Sequence, residues 1–232
     1  MKNKLKAIIF DFNGTIVDTM KSDRLALNQI VEAIPEKIDS NLFVKKSIDR
    51  IIEFHKLVDI GIEMPLTMHR YRLEKTFSDL SCKYEELYLN TYLDTFYKNP
   101  CVYPDVENIL KKLYGKVSLA ILSNAYDSKE QNIRIDMTSL RKYFNDIVIA
   151  ADINAYKPNP KAFLYFVPKY QLEPDSFLFI GDSEEHDILG AKQAGMHSIK
   201  INFDNNLNDT AADYCCNDYQ SLSQLLDDHY EF

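Results

Sequence analysis

Asp11 follows four apolar residues, Ala7 to Phe10, and precedes Phe12, Asn13, Gly14 and Thr15. A buried strand that ends in a carboxylate and a tight turn delivers a charged oxygen to the carboxyl end of a sheet, where ligands bind. The other residues able to do chemistry stand at the ends of similar apolar runs. Ser123 and Asn124 close VSLAILSN, Lys157 lies in AYKPNP just before Pro158, and Asp182 and Asp187 follow SFLFIG within GDSEEHD. Carboxylates, a hydroxyl and an ammonium group around one crevice suit a phosphate and a hard divalent cation, because Mg²⁺ takes oxygen ligands and keeps several waters. Each residue alone has a plainer reading. Asp11 would end a strand, Ser123 would cap a helix starting near Ser128, Lys157 would be solvated, and Asp182 and Asp187 would form an acidic helix N-terminus with Glu184 and Glu185. Their joint placement at strand ends favours a site, and the mutual repulsion of four acids in six residues would be relieved by a cation.

The runs that must position these groups are KAIIF (6–10), VSLAILS (117–123), IVIAA (147–151), SFLFIG (176–181) and HSIKIN (197–202). They are short, largely unalternated and separated by helix-sized segments, the pattern of parallel strands buried on both faces of a doubly wound α/β sheet. Residues 17–97 exceed what one crossover helix needs and show helical periodicity in RLALNQIVEAI, SIDRIIEFHKLVDIGI and YEELYLNTYLDTF. They read as an inserted all-α domain, which leaves 1–16 and 98–232 as a Rossmann-like core. Re-entry is placed in KNPCVYPDVENIL, where Pro100 and Pro104 punctuate the chain ahead of a helix from about Asp105. Glycine is scarce, and Gly14, Gly181, Gly190 and Gly195 fall in the stretches that carry the acids, which marks turns of required geometry.

Hydrophobic residues at 46% and charged residues at 27% are ordinary for a globular chain. A formal charge of -8 argues against a general nucleic-acid binder, which shows a basic face. No apolar run approaches the roughly 18 residues of a membrane span. The apolar stretch behind the N-terminal lysines stops at Asp11, too short for a signal peptide. Cys82, Cys101, Cys215 and Cys216 show no metal-binding spacing and read as reduced thiols of a cytoplasmic protein.

The motifs together resemble those of the haloacid dehalogenase-like hydrolase superfamily, in its helical-cap, phosphatase-like branch. DFNGTIVD is similar to the family's first motif, an aspartate followed two residues later by a second aspartate and Gly-Thr. LAILSNA resembles the second, YKPNPKAF the third, and FIGDSEEHDILGAKQAGM the fourth. All four occur in family order across residues 6–203, and residues 17–97 occupy the position of the helical cap. The resemblance implies that Asp11 is a nucleophile forming an aspartyl-phosphate. It implies Mg²⁺ held by Asp11, the backbone carbonyl of Asn13 and Asp182, with Asp187 as ligand through water or as support. Ser123 and Lys157 would contact the phosphoryl group, with Gly14, Thr15 and Asn124 completing the substrate site.

Asn13 departs from the family's phosphatases, whose acid at this position protonates the leaving alcohol and then activates water. An amide donates and accepts hydrogen bonds but transfers no proton at neutral pH, and loss of general acid–base help typically costs about 10² to 10⁴ in rate. Three explanations stand: a leaving group that needs little protonation, such as an acyl or aryl phosphate; a proton supplied by the cap or the substrate; or a weakly active protein that mainly binds a phosphorylated ligand. The resulting expectation is a cytoplasmic, Mg²⁺-dependent phosphohydrolase acting on a small phosphorylated metabolite, monomeric or homodimeric, without nucleic-acid or membrane partners. Its alternatives are a metal-independent 2-haloacid dehalogenase and a catalytically impaired phosphate-ligand binding protein. Substrate choice would fall to the cap, with Lys21, Arg24, His69, Arg70, Tyr71 and Arg72 as polar candidates.

Overall fold

The computed structural model describes residues 2–59, 64–203 and 210–232. Its strands are β1 (Asn3–Lys4), β2 (Ala7–Phe10), β3 (Ser118–Ser123), β4 (Asp146–Ile149), β5 (Phe177–Gly181), β6 (His197–Ile201), β7 (Tyr214–Cys216) and β8 (Tyr230–Glu231). One all-parallel sheet has the order β4-β3-β2-β5-β6-β7, and β1 pairs with β8 apart from it. The helices are α1 (Thr19–Ala33), α2 (Ser40–Asp59), α3 (Met68–Asp79), α4 (Glu86–Lys98), α5 (Val106–Leu113), α6 (Ser128–Met137), α7 (Ala150–Ile153), α8 (Pro160–Leu164), α9 (Phe166–Tyr170), α10 (Leu189–Gln193) and α11 (Tyr219–His229). No described helix is long and apolar enough to cross a membrane.

The absence of polar alternation in β2, β3 and β5 follows from burial on both sides. Ile8, Phe10, Leu119, Ile121, Leu178 and Ile180 enter one apolar cluster with residues of α5, α6 and α11, such as Leu110, Ile135 and Leu222. Ala7, Ile9, Ala120, Leu122, Phe177 and Phe179 enter a second with Phe163 of α8, Phe166 of α9 and Ala191 of α10. Successive strand residues point to opposite faces, so a strand between two helical layers is apolar throughout. The fold is thus the expected Rossmann-like doubly wound sheet. Three details differ from the sequence reading. The run 147–151 stops being a strand at Ile149, with Ala150 and Ala151 opening α7, and neither β7 nor the β1–β8 pair was foreseen because two or three residues carry too little pattern.

The chain divides into two compact units, Met1–Asp18 with Cys101–Phe232, and Thr19–Pro100. The second is all-helical and has its own core, including Leu27, Phe43, Phe77 and Tyr92. Phe77 meets Phe43 edge-on at 5.4 Å and stacks on Tyr88 at 4.8 Å. At its centre the fully buried Arg72 donates to Asp23 at 2.5 Å, and the Tyr92 hydroxyl donates to the same oxygen at 2.6 Å.

Candidate active site

Beyond β2 the Asp11 amide still donates to the Ile180 carbonyl at 2.9 Å, so the sheet fixes the first residue of the turn. The chain then folds back tightly. The Phe12 carbonyl accepts from Ile16 N at 3.0 Å and Val17 N at 3.1 Å, and Gly14 N donates to Val17 O at 2.8 Å. Gly14 has φ +85°, and a Cβ there would stand 2.3 Å from Asp182 Oδ2. Glycine is needed twice over, for the dihedral and for the close approach of the acid. Thr15, fully buried, donates its hydroxyl to Asp182 Oδ1 at 3.2 Å, and Tyr219 of α11 donates to the Thr15 carbonyl at 2.8 Å.

Lys157 arrives after β4 and is joined to Pro158 by a cis peptide. Asn124, just past β3, grips its main chain at both ends: Asn124 Nδ2 donates to Lys157 O at 2.7 Å, and Lys157 N donates to Asn124 Oδ1 at 2.8 Å. The carboxamide proposed from sequence as a substrate contact is therefore engaged in holding the lysine. Lys157 Nζ donates to Asp11 Oδ1 at 2.5 Å and to Asp187 Oδ1 at 2.7 Å, with all three side chains buried. Asp187 is fixed in turn by Ser183 N, which donates to its Oδ2 at 3.0 Å. It also packs on Gly181, where a Cβ would fall 2.5 Å from its Cγ.

Ligand oxygens of Asp11, Asp182 and Asp187 lie within 4.8 Å of one another. Three carboxylates against one ammonium leave two negative charges when all are ionised. The electrostatics register the excess. Burial, only partly offset by Lys157 and reinforced by Asp187 and Asp182, pushes the Asp11 carboxyl up to about 8. Burial and the Asp187 charge push Asp182 to about 6. For Lys157, burial works against the charged form, but Asp11 and Asp187 outweigh it and raise the ammonium above its ordinary value. A close group of hard oxygen donors with uncompensated charge fits a small divalent cation. Glu184 does not belong to the group. It accepts from Lys200 Nζ at 2.9 Å, Thr210 Oγ1 at 2.7 Å and Ala211 N at 2.7 Å, so the acids of GDSEEHD are divided between two tasks.

Two buried polar side chains of α6 were missed from sequence. Gln131 Nε2 donates to Ser123 Oγ at 3.1 Å, and Arg134 Nη1 donates to Asn13 Oδ1 at 2.5 Å. The Arg134 guanidinium also lies 5.5 Å from the centre of the Phe12 ring. Ser123 is thus a buried partner of α6, while the N-cap of that helix is Asp127, which accepts from Glu130 N at 2.9 Å. The only signal available was the i, i+3 spacing of Gln131 and Arg134 beside the core residue Ile135. In the helical unit, Arg70 forms a fork with Glu86 at 2.6 and 2.5 Å, Tyr71 donates to Glu53 at 2.9 Å, and Arg72 is held by Asp23. These three serve contacts within their own unit, and Lys21 and Arg24 are exposed.

A doubly wound parallel sheet on which a lysine and three aspartates converge at the strand ends is built as the core of an α/β enzyme. The chain belongs to the haloacid dehalogenase-like hydrolases, whose family pattern matches residues 8–201. It is 27% identical to the phosphoglycolate phosphatase of Vibrio vulnificus (strain CMCP6) over 231 residues, covering 97% of this chain and 96% of that one. Among solved structures it resembles the HAD-hydrolase YfnB of Bacillus subtilis, solved bound to magnesium, with a TM-score of 0.82 and 20% identity over 96% of this chain and 99% of the other. It also resembles the L-2-haloacid dehalogenase of Xanthobacter autotrophicus, with a TM-score of 0.73 and 17% identity over 97% and 99% of the two chains. At those identities the two structures bear on the fold alone.

Proposed function

We propose that the protein is a Mg²⁺-dependent phosphohydrolase that passes the phosphoryl group of a small phosphorylated metabolite to Asp11 and then to water. The observation that carries this reading is the close trio of Asp182 with the buried Asp11 and Asp187, whose excess charge calls for a cation that halide displacement would not use. The phosphatase identity of the Vibrio relative supports it. Asp11, Asp182 and the Asn13 carbonyl would hold Mg²⁺, with Asp187 in support, and the ion would offset the repulsion between a carboxylate and an anionic phosphate. Lys157 keeps Asp11 oriented with one oxygen engaged, while Ser123, set by Gln131, offers its hydroxyl to a phosphoryl oxygen. The unit Thr19–Pro100 would carry substrate choice, and the protein would act in the cytoplasm as a monomer or homodimer.

The direct test is release of phosphate from an aryl phosphate with Mg²⁺ and with chelator. Metal-dependent release is the expected result. Chloride release from a 2-haloacid without metal would replace this reading with a dehalogenase. Tight binding of a phosphate mimic with no turnover would replace it with a binding protein.

A pH-dependent stability follows from the same acids. Asp11 and Asp182 bind protons more tightly folded than unfolded, so the metal-free folded state holds extra protons above the ordinary carboxylate value of 3.8. Stability therefore falls as pH rises from about 4 through about 6 and on to about 8. A bound cation substitutes for those protons, so saturating Mg²⁺ should raise the melting temperature more at pH 8 than at pH 6. Calorimetry at the two pH values checks this, and an equal rise at both would count against the acids as the ligands.

A further inference from the structure

We propose that Arg134 is the positioning residue that adapts this site to leaving groups departing as anions, an inference that rests on the phosphohydrolase reading. The substrates it selects are phosphoryl donors with weakly basic leaving oxygens, such as acyl phosphates, phosphoanhydrides and aryl phosphates, rather than alkyl phosphate esters.

Arg134 is 3% exposed and projects from the middle of α6. Its Nη1 lies 2.5 Å from the side-chain oxygen of Asn13, across 121 residues of sequence. One turn earlier, Gln131 points the same way and donates to Ser123. Helix α6 therefore supplies one polar side chain to Ser123, at the end of the neighbouring strand β3, and one to Asn13, in the turn that follows Asp11. Contact with the Phe12 ring at 5.5 Å further restricts the guanidinium, since an arginine over an aromatic face is held electrostatically as well as by packing.

The bond dictates what Asn13 can offer. Its carboxamide oxygen accepts from a charged donor, so its remaining donor capacity is on nitrogen. A cation at the oxygen draws electron density from the amide and strengthens those N–H groups as donors. A strengthened donor backed by a fixed positive charge stabilises oxyanion character, but it has no proton to give. In the reaction, an Asp11 oxygen bonds to phosphorus as the bond to the leaving oxygen breaks, and the electron pair departs on that oxygen without a proton. Water then bonds to phosphorus and loses a proton to solvent, the phosphoryl bond to Asp11 breaks, and phosphate is released with the carboxylate restored. Weakly basic leaving oxygens tolerate this route, whereas alkoxides do not without an acid.

The test is a leaving-group series of dinitrophenyl, nitrophenyl and phenyl phosphates, with acetyl phosphate and glycerol phosphate, assayed with Mg²⁺ for the wild type, Arg134→Gln and Arg134→Lys. The wild type should favour acetyl and nitrophenyl phosphates over glycerol phosphate by at least about 10²-fold in kcat/KM. Arg134→Gln should steepen the dependence on leaving-group basicity, losing about 10²-fold on phenyl phosphate and under about tenfold on dinitrophenyl phosphate, mainly in kcat. Arg134→Lys should restore part of the original slope, and it decides the matter if Arg134→Gln does not fold. A uniform loss across the series with unchanged slope overturns the role of Arg134, as does wild-type turnover of glycerol phosphate at the rate of the aryl esters. No turnover of any member overturns the phosphohydrolase reading itself, and the inference with it.

Discussion

Asp11→Asn is expected to abolish turnover, by at least about 10⁴-fold, while leaving the fold intact. The two halves of this result test different things. Loss of activity follows if a carboxylate oxygen of residue 11 forms the bond to phosphorus, because an amide oxygen is a far weaker nucleophile. Retention of the fold follows from the charge excess. Asp11 is one of three acids around a single ammonium, and Lys157 keeps Asp187 as its partner at 2.7 Å when Asp11 is neutral. In the absence of metal at pH 8, the variant should melt no lower than the wild type. Rapid quenching of the wild type during turnover, followed by peptide mass spectrometry, should find one phosphoryl group on the peptide containing residue 11, and none in the variant. Substantial activity in Asp11→Asn, or phosphorylation elsewhere, would remove Asp11 from the mechanism.

The second large effect is on stability. Lys157→Met removes the ammonium that Asp11 and Asp187 share in a region closed to water. Deleting one member of a buried ionic group leaves uncompensated charge, at a cost of about 3–5 kcal/mol. The size should depend on pH, with a determinate sign. The acids of the variant relieve their repulsion by taking up protons, so the deficit is small near pH 5 and grows as pH rises toward and beyond the value of about 8 that Asp11 has with the lysine present. Urea denaturation of both proteins at pH 5 and pH 8 measures this. A deficit independent of pH would mean that Lys157 contributes packing against Phe179, 5.3 Å from its Nζ, rather than charge.

The strand-end residues were legible because the sheet leaves them little freedom. An apolar run followed by Asp, or by Ser-Asn, names both the strand and the group at its carboxyl end, and parallel pairing brings those ends together. Lys157 is the intermediate case. Its type and order in the chain suggested a role, but the main-chain grip of Asn124 that delivers it is a contact across 33 residues with no local trace. For Arg134 the sequence carried only its i, i+3 spacing to Gln131 beside Ile135, too little to mark it as a site residue. A polar residue in a largely polar helix reads as solvated, and only the docking of α6 on the sheet turns it inward. The acidic run GDSEEHD was over-read for the converse reason. Spacing alone does not reveal that Glu184 bonds Lys200 while Asp182 and Asp187 face Asp11.

The central position of β2, between β3 and β5, has a consequence for how the protein is made. The strand that carries Asp11 emerges from the ribosome early, yet neither flanking strand exists until residues 118–123 and then 177–181 have been synthesised. Meanwhile Thr19–Pro100 has its own apolar core and can consolidate from contacts closer in sequence. Until then KAIIF is an apolar segment with two unpaired edges, the state most exposed to mispairing or to capture by a chaperone. Catalytic competence therefore arrives late in biogenesis, and slowed translation between β2 and residue 181 should lengthen the interval in which the nascent chain needs protection.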